Sequence, residues 1–226
     1  MALKTHAVLT GDLVRSGVMS PRTLDRVRRE VSAAAERLEA LGTGVVRGEP
    51  DFFRGDAWQM LLAEPRYALH AALSIRSRLI AKGLADTRIA MGFGAVRSVS
   101  RKRISLSTGE AFSLSGAALD AMPSRARLVA AFPAAAAEVG GWVDAVARLC
   151  DAIAGRWTAR QAQIVALAIL NPGATQTELA GKLRPAIAQQ TLARALAAAG
   201  WPGLEAALDR FGSYHWEAPA GRRIQP

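Results

Sequence analysis

Residues 158–200 read TARQAQIVALAILNPGATQTELAGKLRPAIAQQTLARALAAAG. Two threonines in this segment are each followed three residues later by Gln161 or Glu178 and then by apolar residues, the capping-box pattern that begins helices. Asn171-Pro172-Gly173 is typical of the end of the first helix. A third helix is predicted from Ala188 to Ala199. Its apolar face consists of Leu192, Ala195, Leu196 and Ala199. The segment therefore predicts three short helices in succession.

The polar side chains of this segment suggest a DNA-binding helix-turn-helix. A recognition helix reads base edges with its first residues, where glutamine suits adenine and arginine suits guanine or phosphate. The predicted DNA contacts are Gln176, Gln189, Gln190, Ala193 and Arg194. An ordinary helical bundle with a solvated polar face is the alternative. The long connection Leu183–Ile187 and the lack of a second cation on that face favour this alternative.

The charge of the whole chain bears on this choice. The 226 residues carry a formal charge of +10, which favours a polyanionic partner such as nucleic acid or a nucleotide, although a solvated cationic surface is the other interpretation. Residues 1–141 hold 20 basic and 13 acidic side chains, whereas residues 142–226 hold nine and six. Because the excess lies mostly outside the helical part, we expect the first part of the chain and dimer formation to contribute to DNA binding.

The cysteine content and the hydropathy of the chain indicate its cellular location. Cys150 is the only cysteine, which suits a reducing cytoplasm and a small core residue. The alanine-rich stretch 128–147 is interrupted by Pro133, Glu138 and Asp144, so no apolar run is long enough to cross a membrane. The frequent use of alanine and arginine is typical of bacteria with GC-rich genomes. The sequence therefore predicts a cytoplasmic bacterial protein without membrane segments.

Upstream of residue 135 the pattern alternates between strands and helices. Apolar runs predict strands at 7–10, 44–47, 57–62 and 88–96, and apolar periodicity predicts helices at 21–41 and 65–81. This order is that of a ferredoxin-like βαββαβ sheet. Pro123, Pro133 and Gly140-Gly141 are interpreted as the joint between two domains. The predicted fold class is thus α+β, with a βαββαβ domain over 1–135 followed by an all-α helix-turn-helix domain over 142–216.

Two aspartates form a candidate metal site in the first domain. Asp12 lies where the first strand ends, and Asp56 lies in the turn before the strand at 57–62. The first and third strands of a βαββαβ sheet are neighbours, so these carboxylates are predicted to face each other. Paired aspartates bind Mg²⁺ when nucleotide phosphates complete its shell. The alternative is that both residues only shape turns.

These residues also carry a family resemblance. Asp12-Leu13 with Ser16, the turn Gly55-Asp56-Ala57 and the helix start Gly109–Phe112 resemble class III nucleotide cyclase domains. Together with Gln176, the run Gln189–Arg194 and Ala199-Gly200-Trp201, they resemble the SatD family, which joins a cyclase-like domain to a helix-turn-helix. The resemblance implies two metal-binding aspartates, here Asp12 and Asp56, and a homodimer.

The sequence departs from active cyclases at key positions. Phe52 stands where cyclases have a purine-reading lysine, and Ser113–Ala118 lacks their asparagine and arginine. Phosphoryl transfer depends on positioned charge, so we predict a degenerate, nucleotide-binding domain without catalytic residues. Its predicted nucleotide contacts are Gly55, Arg101, Lys102 and Arg103, with a solvated basic loop as the alternative. The predicted function is a DNA-binding transcriptional regulator. The alternative is a metal-dependent nucleotide cyclase using Asp12 and Asp56.

Overall fold

The computed structural model describes residues 4–100 and 102–216. Its six strands are β1 Thr5–Leu13, β2 Asp51–Phe53, β3 Ala57–Leu62, β4 Thr87–Ser98, β5 Thr108–Gly109 and β6 Leu128–Ala131. Its eight α-helices are α1 Pro21–Leu38, α2 Ala68–Ala81, α3 Glu110–Asp120, α4 Ala137–Ala154, α5 Ala159–Ile169, α6 Gln176–Lys182, α7 Gln189–Ala198 and α8 Trp201–Ser213. The predicted α+β class is confirmed.

The sheet has the strand order β2-β3-β1-β4-β5, and all of these neighbours are antiparallel. Strand β6 joins the sheet by pairing with β4 in parallel. From β1 to β4 the chain runs strand, helix, strand, strand, helix, strand. The long central strands β1 and β4 place Asp12 directly opposite Arg88. This register creates the main feature of the candidate site.

The first edge of the sheet differs from the sequence prediction. The predicted strand at 44–47 is wrong, because this segment contributes a single bridge between Val46 and Leu62. A carboxylate competes for its backbone donors: Glu39 accepts hydrogen bonds from the amides of Gly44 and Val46, at 2.6 and 3.2 Å. The edge strand forms later, at Asp51–Phe53.

Helix α1 begins as predicted and ends earlier. The Ser20 hydroxyl accepts a hydrogen bond from the amide of Thr23, and Pro21 occupies the first turn. The helix ends at Leu38, after which Glu39–Leu41 forms a 3₁₀ turn. Its buried face consists of Val27, Val31, Ala34, Ala35 and Leu38.

Glycines in β4 allow α3 to lie directly against the sheet. A Cβ at Gly92 would lie 2.3 Å from the carbonyl oxygen of Ala111 and 2.5 Å from the amide nitrogen of Ser115. A Cβ at Gly94 would lie 2.8 Å from a carboxylate oxygen of Glu110. The absence of side chains at these two positions therefore sets the distance between α3 and β4.

The predicted joint at Gly140-Gly141 is wrong, because both glycines lie within α4. Gly140 is buried, and a Cβ there would lie 2.9 Å from the side chain of Phe132. The glycine therefore serves close packing rather than a linker. Residues of the sheet, α1, α2, α4, α5 and α8 share one buried hydrophobic cluster. The division into 1–135 and 142–216 stays a prediction.

A buried arginine connects α2 with α4. The side chain of Arg76 is fully buried and donates two hydrogen bonds to Asp86, at 2.9 and 2.8 Å, and one to Asp151 at 2.8 Å. Asp151 also accepts from the amide of Arg127 at 2.7 Å. Burial alone would lower the pKa of Arg76, but the hydrogen bonds and charges of the two aspartates raise it. The guanidinium is therefore charged and fully paired.

Cys150 and the hydropathy of the helices agree with the sequence predictions. Cys150 is buried, and burial raises the pKa of its thiol to about 11, so the thiol is protonated and packs as a core residue. Within the described ranges 4–100 and 102–216, every helix is too short or too polar to cross a membrane.

Candidate functional site

A cleft of about 570 Å³ opens beside the end of β1. It lies between β1, the β2–β3 hairpin and α3, and it contains both of the aspartates that the sequence singled out. Its polar lining consists of Thr10, Asp12, Arg54, Asp56, Gln59, Arg103, Ser105 and Asp120. The structure therefore brings Asp12 and Asp56 to one cleft.

Asp12 forms a bidentate ion pair with Arg88, the residue opposite it on β4. The Arg88 Nε donates to Oδ1 at 2.8 Å, and Nη2 donates to Oδ2. The side chains of Asp12 and Arg88 are only 21 and 29% exposed, so solvent screens the pair incompletely. The hydrogen bonds that Arg88 donates to Asp12 raise the pKa of Arg88; burial lowers it, and the charges of Asp12, Asp120 and Asp56 raise it further. The guanidinium of Arg88 thus pairs with the carboxylate of Asp12.

This arrangement does not fit a divalent metal ion. Both carboxylate oxygens of Asp12 are occupied by the Arg88 guanidinium, and a metal ion at that place would lie against a fixed positive charge. In the part of the chain that the structure describes, no group of three or more His, Cys, Asp or Glu side chains is arranged to hold a metal ion. Arg88 supplies the counter-charge that the aspartates require.

The predicted nucleotide contacts are dispersed. Arg103 lines the cleft, but its guanidinium donates to Asp51 at 3.1 Å and to the carbonyl oxygen of Phe52 at 3.0 Å. Lys102 is exposed, and Arg101 lies outside the described residues. Gly55 has a φ of +89°, and its carbonyl accepts a hydrogen bond from Arg28 at 3.0 Å. Among the described residues of this set, Arg103 alone contributes to the lining of the cleft.

The ion pair with Arg103 also affects the pKa of Asp51. Burial alone would raise the pKa of Asp51, but hydrogen bonds from Ser105 and Arg103 outweigh this effect and lower it. The ionised carboxylate of Asp51 thereby fixes the loop after β4 against the β2–β3 hairpin. An anion in the cleft would compete with Asp51 for Arg103.

The sequence analysis missed several polar residues of the cleft. Gln59 Nε2 donates to the Thr10 hydroxyl at 2.8 Å, and that hydroxyl bonds the Ser115 hydroxyl at 2.7 Å. These three side chains are buried. Arg88 was missed as well. Each of these residues except Ser115 interrupts an otherwise apolar strand, and a polar side chain in a buried strand is a signal that reasoning from the sequence can use.

The helical segment shows the predicted capping boxes. The Thr158 hydroxyl accepts from the Gln161 amide at 3.2 Å, and the Gln161 side chain accepts from the Thr158 amide at 2.8 Å. Thr175 and Glu178 repeat this exchange at 3.3 and 2.7 Å. Helices α5, α6 and α7 therefore begin within one residue of the predicted positions. The capping boxes predicted for α5 and α6 are confirmed.

Helix α7 buries one face and exposes the other. Leu192 and Leu196 are buried in a cluster formed with α5 and α6. Gln189, Gln190 and Arg194 are exposed. The outward placement predicted for Ala193 is only partly correct, because Ala193 is half-buried in a crevice that the exposed Gln176 also lines. Four of the five predicted DNA contacts are thus exposed, three of them on α7.

Comparisons with known proteins gave limited similarity. Neither a protein-family model nor a curated protein matches the sequence. Among solved structures, the chain is similar to the guanylyl cyclase Cya2, with a TM-score of 0.38 and 15% identity over 62% of this chain and 81% of that one. It is also similar to a bacterial light-regulated adenylyl cyclase, with a TM-score of 0.38 and 17% identity over 58% of this chain and 44% of that one.

The low similarity of both matches limits what can be inferred from them about this chain. The chain spans less than half of the light-regulated cyclase. Both TM-scores lie below the level at which we draw conclusions about fold or activity, and a fold by itself does not imply a function. The function proposed below therefore rests on the side chains of this chain.

Proposed function

We propose that this chain is a DNA-binding transcriptional regulator. One observation carries the proposal: the first turn of α7 exposes Gln189 and Gln190, and the exposed Arg194 follows one turn after Gln190, while Leu192 and Leu196 anchor the helix. Amide and guanidinium groups at the start of a helix that can enter the major groove are the groups that read bases. In this proposal α6 and α7 form a helix-turn-helix.

The proposal assigns a supporting part to the α+β portion. We take β1 to β4 with α1 and α2 as a ferredoxin-like, cyclase-like domain that has lost catalysis and binds a nucleotide in the Asp12 cleft. The whole chain is then similar to the SatD family in organisation. We expect a homodimer, because two-fold operators are read by two-fold symmetric proteins.

Replacing both Gln189 and Gln190 by alanine should reduce sequence discrimination. Each lost bidentate contact to an adenine costs about 1–3 kcal/mol, so the loss of both should lower the affinity for a duplex selected by the wild-type chain at least about 30-fold. The affinity for random duplex should not change, because neither glutamine contributes a charge. Fluorescence anisotropy at fixed salt measures both affinities.

The random duplex is the internal control in this experiment. An equal loss on selected and random DNA would show that the two glutamines do not read bases. If the wild-type chain binds no duplex even at low salt, where phosphate contacts are strongest, the proposed function itself is wrong.

A second function is favoured by one observation, the joint placement of Asp12 and Asp56 in the cleft. This function is a metal-dependent nucleotide cyclase. Arg88 opposes it, because the guanidinium holds the carboxylate that a metal ion needs. The test is incubation with each nucleoside triphosphate and Mg²⁺ or Mn²⁺. A cyclic product that disappears in Asp12→Ala would establish the cyclase and exclude a degenerate site.

Removing Arg88 should create metal affinity that the wild-type chain lacks. In Arg88→Ala both carboxylate oxygens of Asp12 lose their guanidinium partner, so they become available to a divalent cation beside Asp56 in the same cleft. We expect calorimetry with Mn²⁺ to detect binding by Arg88→Ala and none by the wild type. The control is Arg88→Ala combined with Asp12→Ala, in which binding should disappear. Equal binding by all three chains would contradict the role given to Arg88.

A further inference from the structure

A second groove lies on the molecule away from the Asp12 cleft. It has a volume of about 310 Å³ and runs between the ends of α1 and α2 on one side and α5 and α6 on the other. Five basic residues line it and no carboxylate does. These residues are Arg37, Arg78, Lys82, Lys182 and Arg184.

Only one of these cations is neutralised by an acid. Arg78 pairs with Glu30, at 2.5 Å. Lys182 instead donates to the amide oxygen of Asn171 at 2.5 Å, and Arg184 donates to the carbonyl oxygens of Gly181 and Leu183. These acceptors are neutral, so both charges persist. Across residues 4–100 and 102–216, Arg37 and Lys82 form no ion pair with a carboxylate, and both are exposed. Four of the five cations thus form no ion pair with a carboxylate in the described ranges, although the charge of Lys182 also acts on Glu178, one turn earlier on α6.

Helix dipoles explain part of this arrangement. Arg37, Lys82 and Lys182 lie at the C-terminal ends of α1, α2 and α6, where a cation offsets the negative end of the dipole. This accounts for one basic residue per helix. It does not account for their convergence on one groove without a carboxylate, since such cations repel each other unless an anion lies between them.

We infer that this groove binds the phosphate backbone of the same DNA duplex that α7 reads, an inference that rests on the proposed function. Arg184 precedes Gln189 by five residues, which bounds their separation to about 18 Å. This distance is well within one helical turn of duplex DNA, about 34 Å. Arg37 and Lys82 belong to the α+β portion. That portion thus supplies phosphate contacts that position α7 without reading sequence.

The test compares three full-length chains by fluorescence anisotropy with random and selected duplexes over a range of salt. These are the wild type, Arg37→Ala/Lys82→Ala, and the control Arg22→Ala/Arg26→Ala. The control removes two exposed cations from the start of α1, at least about 16 Å along the helix from Arg37. Both variants lose the same net charge.

Two lost phosphate contacts should reduce the slope of log K against log salt by about 1.8. Between 50 and 200 mM salt, the wild type should then lose about tenfold more affinity than Arg37→Ala/Lys82→Ala, equally on both duplexes. The control should retain the wild-type slope. Circular dichroism spectra and urea midpoints of the variants establish that all three chains are folded.

The possible outcomes distinguish a failure of the groove inference from a failure of the proposed function on which it rests. If the wild type binds DNA and the salt slope of Arg37→Ala/Lys82→Ala is unchanged, the inference that the groove binds phosphate is wrong. The proposed function is then unaffected. Equal slope changes in both variants overturn the groove inference as well, because total charge rather than the groove then governs binding. Absence of binding by the wild type at low salt overturns the proposed function.

Discussion

Replacing Arg76 by methionine is expected to lower the free energy of unfolding by about 3–5 kcal/mol. The guanidinium is fully buried and supplies all the side-chain hydrogen bonds that pair Asp86 and Asp151 with α2. Methionine fills a similar volume but leaves two carboxylates without a counter-charge. Since small domains are stable by about 5–15 kcal/mol, this single change removes a large part of the stability.

Urea denaturation followed by circular dichroism measures the effect. Arg148→Met is the matched control, because Arg148 forms an ion pair with Asp144 but is 49% exposed. An exposed pair contributes at most about 1 kcal/mol. If Arg76→Met fails to fold, Arg76→Lys keeps the charge while losing the fork geometry and should show an intermediate loss. A loss below about 1 kcal/mol for Arg76→Met would contradict the structure around Arg76.

Replacing Gly92 by alanine should destabilise the protein by about 3 kcal/mol, at the upper end of the usual cost of overpacking. The new methyl group would lie 2.3 Å from the carbonyl oxygen of Ala111 and 2.5 Å from the amide nitrogen of Ser115. Both are backbone atoms of α3, so no rotamer change relieves the contact. The whole helix must move away from β4.

The displacement of α3 should also affect the cleft. Ser115 of α3 forms a hydrogen bond with Thr10, and Asp120 of α3 lines the cleft. Amide chemical shifts around Thr10 and Gln59 should therefore change with the stability. The control is Gly116→Ala on the same helix, whose Cβ would meet no atom within 4 Å. That change should stabilise by about 0.5–1 kcal/mol, since alanine favours the helical state. A destabilisation of equal size in both variants would show that the contact with β4 is not the cause.

Local features were predictable from the sequence. The caps at Ser20, Thr158 and Thr175 involve side chains and amides three residues apart, so neighbouring residues determine them. The apolar face of α7 follows from its helical spacing. The close approach at Gly92 was predictable in kind, because a glycine in a buried strand indicates a nearby backbone.

Features that depend on register were not predictable. The pair formed by Asp12 and Arg88 exists because β1 and β4 are aligned with these residues opposite each other, and a shift by one residue would place them on opposite faces. The position of the edge strand was not predictable either: the Glu39 side chain binds the amides of Gly44 and Val46, and the edge strand lies at Asp51–Phe53. Periodicity along the chain does not encode either contact.

A single buried cluster joins the sheet to α4, α5 and α8, and this continuity governs how the protein loses its structure. The two portions should melt in one cooperative transition, with equal calorimetric and van't Hoff enthalpies. The helical segment is accordingly not a portable module. Excised and fused to another protein, it would lose the packing of Val165 and Phe211 against the α+β portion, and the apolar surface so exposed would promote aggregation.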